Sequence, residues 1–334
     1  MRNKRWRIES PITPQAEESL AKFPSILRQI LFNRGMGTDA EARAFLKAEP
    51  NFNTDPFQLI GMDAAVERIQ YALDHDEAIA VYGDYDVDGV TATALLVQAL
   101  EGLGARVRGY IPNRFDEGYG LNPDALDSLK TDGVKLVITV DCGIRSPDEA
   151  GHARDIGLDL IISDHHHPDG ENLPPALAVI NPKQHGDSYP DKYLAGVGIA
   201  YKIAEALSTA GDQRLETDRS SLADLLDLVA LGTVADLAPL VGENRSLVRR
   251  GLKQIRQTKR QGLFSLANVA GMVIGKTTAG QIGFILGPRL NASGRLESAL
   301  ASLDLLTTTD FMRAGQLAQQ LDVQNRTRQE LTKS

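Results

Sequence analysis

The sequence is poor in cysteine and in long apolar runs. Its one cysteine, Cys142, cannot form a disulfide within the chain, which is typical of a reducing compartment. No stretch stays apolar for the length of a membrane span, and the charged start Met-Arg-Asn-Lys-Arg-Trp-Arg has no apolar segment behind it. The sequence therefore predicts a cytoplasmic protein without a membrane span or a signal peptide.

An excess of basic residues is also lacking. The chain has 36 lysines and arginines against 44 acidic residues, a formal net charge of -8. This balance argues weakly against a protein that is basic over its whole surface, although local clustering of charge matters more than the sum. With 334 residues and 42% hydrophobic content, the chain can bury a sizeable core in one large domain or two smaller ones.

Strand-like apolar runs alternate with amphipathic stretches through the middle of the chain. We predict strands over 78–83, 107–111, 136–140, 158–162 and 177–180, and helices over 62–73, 90–103, 123–130 and 146–156. Helical periodicity fills 11–50, with a Thr38/Glu41 capping box, and helices including 221–231, 243–257, 277–296 and 310–333 dominate after 194. The pattern predicts an α/β fold, a mainly parallel sheet flanked by helices, followed by a helical region and a long connecting helix.

The most informative stretch is Asp84-Tyr85-Asp86-Val87-Asp88-Gly89, directly after the apolar run 78–83. Three carboxylates this close repel one another and raise each other's pKa unless a cation neutralises them. Oxygen ligands select hard ions such as Mg²⁺ or Mn²⁺. A solvated turn that caps the next helix is the alternative. A calcium loop is disfavoured because Leu95 stands where such a loop needs glutamate.

More acidic and imidazole groups follow other predicted elements. Asp141 ends the run 136–140, Asp164-His165-His166 ends the run 158–162, and Asp236 follows a helix and a Thr-Val turn. Because the carboxyl ends of parallel strands meet at one edge of a sheet, we expect these groups to converge there. Such a set fits a two-metal site with ions roughly 3.5 to 4 Å apart, and mixed ligands suit Mn²⁺ somewhat better than Mg²⁺.

These residues carry a resemblance to a known family. The segments 84–89, 140–143, 164–166 and 233–236 resemble, in order, the four motifs of the DHH phosphoesterase superfamily. Two longer segments, 111–121 and 287–296, are similar to motifs of the RecJ family of single-strand-specific 5'-to-3' DNA exonucleases within that superfamily. The resemblance covers nearly the whole chain.

The resemblance implies a role for each matching residue. It implies two divalent cations, Mn²⁺ or Mg²⁺, held by Asp86, Asp88, Asp141, His165 and Asp236, with Asp84 either a ligand or a support for its neighbours. Asp141 would bridge the ions and His166 would face the scissile phosphate, so that these two residues form the catalytic pair. Arginine forks pair with phosphate oxygens bidentately. The implied DNA contacts are Arg114 at the 5' end, and Arg289, Asn291 and Arg295 at or beside the phosphate being cut.

The function implied by the resemblance is metal-dependent hydrolysis of single-stranded DNA from the 5' end to mononucleotides, in DNA repair and recombination. A helicase or a single-strand-binding protein would be the protein partner. One alternative is a phosphodiesterase of oligonucleotides or cyclic dinucleotides, and another is a non-catalytic nucleic-acid-binding module. Against that module, every metal-ligand position holds a competent residue. RecJ exonucleases continue into a DHH-associated domain and usually an oligonucleotide-binding fold, so we expect this sequence to be a piece of a longer protein.

We expect four parts along the chain. They are a helical cap over 1–60, a phosphoesterase core over 61–260, a helical extension over 261–309 and the start of a connecting helix over 310–334. Basic residues of the core recur at helical spacing, on one face: Arg245, Arg249, Lys253, Arg256 and Arg260. They could form a track for DNA phosphates or a solvated face that pairs with acidic groups, and both interpretations stay open.

Overall fold

The computed structural model describes residues 7–50, 52, 54–113, 118, 120–210, 219–296 and 298–331, leaving aside the side chains of 219–221, 295 and 296. Three short helices come first, α1 (Pro14–Ser19), α2 (Ser25–Phe32) and α3 (Asp39–Lys47). The predicted capping box is confirmed, since Thr38 and Glu41 each accept a hydrogen bond from the other's backbone N–H. Leu20, Leu31 and Ala42 form a small separate core for these helices.

Within these described residues, five parallel strands form the sheet, in the order β2-β1-β3-β4-β5. Their bounds are β1 Ala78–Gly83, β2 Val107–Tyr110, β3 Val134–Val140, β4 Asp159–Ser163 and β5 Ala178–Ile180. A 3₁₀ turn (Pro56–Gln58) and four helices accompany them, namely α4 (Met62–Asp74), α5 (Val87–Gly102), α6 (Pro123–Thr131) and α7 (Pro147–Asp155). The predicted α/β class and the parallel sheet are confirmed.

The second half of the chain is helical. Its elements are α8 (Gly196–Ala210), α9 (Arg219–Asp224), α10 (Leu226–Ala235), α11 (Gly242–Ile255), α12 (Gln261–Val269), a 3₁₀ turn (Ile274–Lys276), α13 (Ala279–Gln281), a π-helical turn (Ile282–Leu286), α14 (Gly287–Leu296), α15 (Leu300–Thr307) and α16 (Phe311–Leu331). Helices α5, α8 and α10 pack on one another and share the main buried core with the sheet. No helix in the described ranges is long and apolar enough to cross a membrane.

Two predicted helix boundaries at the acidic edge differ from the structure. Helix α5 begins at Val87 instead of Val90, because the Asp86 side chain accepts the N–H groups of Asp88 and Gly89 and so caps an earlier start. Helix α10 continues through Gly232 to Ala235, so that the predicted Thr-Val turn is its last turn. Gly232 lies inside this helix, where its missing side chain permits close packing on α5.

The pairing register places the carboxyl ends of four strands, β1, β3, β4 and β5, side by side. Gly83 pairs with Val140, Val140 with Ser163, and Ser163 with Ile180. The residues that directly follow these strand ends therefore form a row across the sheet edge: Asp84, Asp141, Asp164 and Asn181.

Candidate metal centre

Asp141 stands at the centre of the row in an uncommon backbone conformation. Its φ is 62°, in the left-handed region, and its N–H donates to the carbonyl of Ser163 over 3.0 Å. Non-glycine residues persist there only when the surrounding structure holds them, and aspartate is among the more tolerant types. This bend turns the chain as β3 ends and keeps the buried Asp141 carboxylate at the sheet edge.

Asp88 is held between two helix N-termini. It lies in the first turn of α5, and its two carboxylate oxygens accept the N–H groups of Gly196 (2.7 Å) and Val197 (2.9 Å) at the start of α8. The partial positive charge of a helix N-terminus stabilises an anion. These bonds fix the position of the Asp88 carboxylate, whose side chain is fully buried.

Two glycines allow helices to approach the carboxylates closely. A Cβ at Gly196 would lie 2.7 Å from the Asp141 Cβ, and a Cβ at Gly232 would lie 2.7 Å from Asp88 Oδ1 and 2.3 Å from Thr91 Oγ1. Real Cβ atoms essentially never come this near to another heavy atom. The backbones of helices α8 and α10 therefore lie directly against the acidic cluster.

The two histidines of the Asp164-His165-His166 segment are placed differently. His165 has a largely buried side chain, and its Nε2 lies 3.0 Å from Asp141 Oδ1 and 3.9 Å from Asp88 Oδ2. His166 is 40% exposed, and Asp164 Oδ1 accepts hydrogen bonds from its Nδ1 (2.8 Å) and its backbone N–H (3.0 Å). Asp164 therefore orients His166 at the mouth of the cluster, while His165 lies inside it.

Overlapping sets of donor atoms make this cluster suitable for metal ions. In the described part of the chain, three sets have donor atoms within 4.8 Å of one another: Asp84, Asp86 and Asp141; Asp88, His165 and Asp236; Asp141, His165 and His166. Asp141 Oδ1 and His165 Nε2 are buried, and neither makes a hydrogen bond. Buried polar atoms without a partner are costly, and a cation between them would satisfy both. The donor chemistry thus fits hard divalent ions.

Crowding shifts the pKa values of the cluster. Burial, followed by neighbouring carboxylates, raises the pKa of Asp88 and Asp141 well above the usual range. Burial and Asp86 raise the pKa of Asp236 to about 6, while burial and His166 lower the pKa of His165 to about 4. Near neutral pH the metal-free cluster therefore combines a neutral His165, the form that binds metals, with carboxyls that bind protons more tightly than usual.

The raised pKa of Asp236 predicts a pH-dependent difference in stability between the metal-free protein and an Asp236→Asn variant. Between pH 3.8 and about 6 the folded protein binds more protons at Asp236 than the unfolded chain does, so this residue's contribution to stability falls as pH rises through that window. The shift corresponds to about 3 kcal/mol, and the partial exposure of Asp236 reduces our expectation to about 1–2 kcal/mol.

Urea unfolding with a chelator at pH 4 and pH 7 measures this effect. From pH 4 to pH 7, the free energy of unfolding of Asp236→Asn should rise by about 1–2 kcal/mol relative to that of the unchanged protein. Parallel pH profiles would contradict the raised pKa.

Of the predicted DNA contacts, Asn291 lies beside the acidic motif. Its Oδ1 accepts the N–H of Val87 over 3.1 Å, at the start of α5. Arg289 is two positions away on α14 and therefore points to a different side of that helix. Its Nε donates to Asp322 Oδ1 of α16 over 2.9 Å, so its guanidinium is bound to α16. Arg114 and the side chain of Arg295 lie outside the described residues.

The basic residues of α11 mostly bind other parts of the protein. Arg245 donates to the carbonyl of Phe45 over 2.6 Å and stacks on its ring at 3.8 Å. Arg249 donates to the carbonyls of Leu46 and Lys47, so both arginines satisfy the C-terminal carbonyls of α3. Beyond the helix, Arg256 donates to the Thr277 carbonyl, and Arg260 pairs with Asp227 at 3.1 Å. These contacts favour a structural role over a phosphate track.

Replacing Arg245 with alanine should therefore loosen the N-terminal helices without weakening DNA binding. We expect a loss of about 1–2 kcal/mol in stability and faster proteolysis near residue 50, because a carbonyl bond and a ring contact disappear together. The exposed Lys253 offers a control on the same helix. A reduced salt dependence of DNA binding in Arg245→Ala would instead support the phosphate track.

Two polar residues beside the histidines were missed by sequence reasoning. Asn181 Nδ2 donates to the carbonyl of His166 over 2.9 Å, and Lys183 Nζ donates to the carbonyl of His165. The available signal was Asn181-Pro182-Lys183 directly after the strand-like run 177–180, at the same sheet edge as the acidic motifs. The contact of Asp322 with Arg289 had no such signal, because nothing in the polar helix 310–333 sets this aspartate apart.

A parallel sheet whose carboxyl edge carries overlapping carboxylate and histidine donor sets defines a candidate metal-binding domain, and comparisons with known proteins identify its family. Residues 78–233 match the DHH family, N-terminal domain. The single-stranded-DNA-specific exonuclease RecJ of Bacillus subtilis (strain 168) is 44% identical over 98% of this chain and 40% of its own length. RecJ of Escherichia coli (strain K12) is 42% identical over 93% of this chain and 54% of its own length. The chain belongs to the RecJ branch of the DHH family.

Solved structures give the same result. RecJ from Thermus thermophilus in complex with Mn²⁺ is 32% identical, with a TM-score of 0.81, over 99% of this chain and 47% of its own. A second structure, exonuclease RecJ bound to manganese, is 37% identical, with a TM-score of 0.73, over 82% of this chain and 67% of its own. The chain spans about half the length of the curated relatives that it matches.

Proposed function

We propose that the protein is a metal-dependent exonuclease that hydrolyses single-stranded DNA from the 5' end and releases mononucleotides. The observation that carries the proposal is the overlap of donor sets at Asp141 and His165, whose facing atoms are buried, close and without hydrogen bonds. The relatives named single-stranded-DNA-specific exonucleases support the substrate class. Relatives solved with Mn²⁺ or Mg²⁺ support such ions as the cofactors, and the overlapping donor sets suggest two of them.

The three donor sets suggest how a pair of ions would be held. Asp84 and Asp86 would join Asp141 at one ion, and Asp88 and Asp236 would join His165 at the other. Asp141 lies 3.0 Å from His165, at the junction of the sets, and is our candidate for the bridging ligand. When bound, such a pair activates water and stabilises the negative charge that develops on the phosphoryl oxygens.

His166 would act on the substrate from the protein side. Its hydrogen bond to Asp164 raises the pKa of the imidazole, so that more of it is protonated near neutral pH than in a free histidine. The same bond occupies Nδ1, so Nε2 would be the atom that donates a proton or a hydrogen bond to a phosphate oxygen. Its position at the exposed mouth of the cluster suits this role.

The remaining proposed contacts involve the DNA strand. Asn291 is already beside the acidic motif, and Asp322 holds Arg289 on the neighbouring helix. Arg114 and Arg295 are assigned to phosphates from their motifs alone, with Arg114 at the 5' phosphate. A cytoplasmic role in DNA repair and recombination, together with a helicase or a single-strand-binding protein, belongs to the same proposal, as do the four predicted parts of the chain.

Hydrolysis of end-labelled DNA tests the proposal. We expect Mn²⁺-dependent release of mononucleotides from the 5' end of a 5'-phosphorylated single strand, little release from a blunt duplex, and none after chelation. Cleavage confined to short oligonucleotides or cyclic dinucleotides would point to the other phosphodiesterase function. Binding of DNA without hydrolysis, with Mn²⁺ bound, would point to a non-catalytic module.

A further inference from the structure

The segment Asn181-Pro182-Lys183 leaves the sheet beside the two histidines. It follows β5, which pairs with β4, the strand that leads into Asp164. The N–H of Asp164 donates to the Ile180 carbonyl over 3.1 Å, so the ladder between these strands continues to the start of the histidine segment. Asn181 is completely buried at this point.

Both polar side chains of this segment bind the histidine backbone. Asn181 Nδ2 donates to the His166 carbonyl over 2.9 Å, while its Oδ1 accepts the N–H of Lys183 over 2.8 Å. The ammonium of Lys183 donates to the His165 carbonyl. Two consecutive carbonyl groups are thus held by one short segment, and Pro182 limits its backbone freedom.

The two imidazole rings differ in the contacts that orient them. Asp164 accepts a hydrogen bond from the His166 ring, as a carboxylate commonly does for a histidine at a metal site. Nε2 of the His165 ring makes no hydrogen bond within the described residues, although it lies 3.0 Å from Asp141 Oδ1. Apart from this contact, packing and the backbone orient the His165 ring, and Lys183 binds that backbone.

The position of Lys183 also differs from that of an ordinary surface lysine. The residue is partly buried, and burial lowers the pKa of its ammonium group while the carboxylates of Asp236 and Asp164 oppose that effect. Its positive charge therefore lies close to two acids of the metal centre. A cation at this point reduces the repulsion among the carboxylates without occupying the donor sets.

We propose that Asn181 and Lys183 form a clamp that positions His165 for metal binding, with Lys183 as the residue on which the orientation of that imidazole depends. Loss of the lysine donor would free the His165 carbonyl, allow the ring to turn and weaken the metal site that includes Asp88 and Asp236. This inference rests on the proposed metal centre, but it concerns binding of the ion and does not require cleavage of DNA.

The test measures Mn²⁺ binding to Lys183→Met, which keeps the chain length but removes the donor. We expect the variant to bind one of two Mn²⁺ ions about 10- to 100-fold more weakly by calorimetry, the range typical for residues that orient a ligand. Pulsed electron paramagnetic resonance should show a weaker ¹⁴N coupling from histidine to Mn²⁺. Lys183→Arg, which retains a cationic donor, should recover most of both signals.

A matched control is available elsewhere in the protein. Lys130 also donates from its ammonium to a backbone carbonyl, that of Gly157, which precedes the amino end of β4 and so lies at the sheet edge opposite the acidic cluster. Lys130→Met should leave Mn²⁺ affinity and the ¹⁴N coupling unchanged. Urea unfolding of the metal-free variants separates a general loss of stability from a change at the site.

The outcomes distinguish this inference from the proposed function. Unchanged Mn²⁺ affinity and ¹⁴N coupling in Lys183→Met, with only reduced stability, would overturn the clamp. Lys183 would then only stabilise the packing of the segments that follow β4 and β5. An unmodified protein that binds Mn²⁺ but does not cleave DNA would contradict the exonuclease while the clamp could still be confirmed by the binding data. An unmodified protein without Mn²⁺ binding would overturn both.

Discussion

Replacing Asp141 with alanine should reduce Mn²⁺-dependent cleavage of single-stranded DNA by about 10³-fold or more. Asp141 belongs to two of the three donor sets and lies 3.0 Å from His165 of the remaining one, so its loss affects the whole cluster. Groups that act as a unit in a reaction typically show losses of this size when one is removed. Alanine in place of Asp148, an exposed aspartate of α7, should leave the activity unchanged.

Thermal unfolding distinguishes a lost metal site from a damaged fold. Saturating Mn²⁺ should raise the Tm of the unchanged protein, because a ligand that binds only the folded state stabilises it, and should raise that of Asp141→Ala little or not at all. With a chelator present, Asp141→Asn should be more stable than the unchanged protein, since one of several crowded carboxylates is gone.

The alanine variant should be less stable than the asparagine variant by about 1 kcal/mol, because alanine tolerates the left-handed backbone of this position less well than asparagine does. Activity retained in Asp141→Ala, or a full Mn²⁺ shift in its Tm, would exclude Asp141 as a ligand.

Replacing Gly251 with alanine should destabilise the protein by about 3 kcal/mol or more. A Cβ at this position of α11 would lie 2.1 Å from the Leu226 carbonyl oxygen and 2.6 Å from the Ala230 Cβ, both on α10. Overpacking in a core usually costs about 1–3 kcal/mol, and the cost is greater where the obstructing atom is backbone that cannot rotate away. Urea unfolding at constant m value measures the loss.

Gly151 supplies the opposite case. It lies within α7, and an added Cβ would meet nothing within 4 Å. Gly151→Ala should therefore stabilise the protein by about 0.5–1 kcal/mol, through the lower backbone entropy of alanine in the unfolded chain. If Gly251→Ala were as stable as Gly151→Ala, helices α10 and α11 could not be packed as closely as described.

The sheet and the carboxylate cluster could be predicted because their signals are local. Each acid follows an apolar run directly, as Asp141 follows β3, and a parallel sheet brings such positions to one edge. The start of α5 at Val87 and the continuation of α10 past Gly232 to Ala235 could not be predicted in this way. The Asp86 cap decides the first, and the second shows only in the folded chain, where Gly232 packs closely against Asp88 and Thr91.

The partners of the charged residues also depend on the folded chain. Helical spacing placed Arg245 and Arg249 on one face, but only the fold shows that this face meets the carbonyls at the end of α3. The same holds for Arg289, whose motif suggests a phosphate and whose carboxylate partner, Asp322, comes from a different helix further along the chain. Periodicity indicates which side chains share a face, and it does not show what that face contacts.

The donor sets combine residues from distant parts of the chain, and this determines when the centre can form during protein synthesis. At translation rates of about 5–20 residues per second, the roughly 150 residues between Asp84 and Asp236 take about 8 to 30 s to add. During that interval the first acidic motif exists without Asp236, the donor residue at the end of α10. Until Asp236 has been added, a nascent chain therefore cannot assemble the complete set of donor residues.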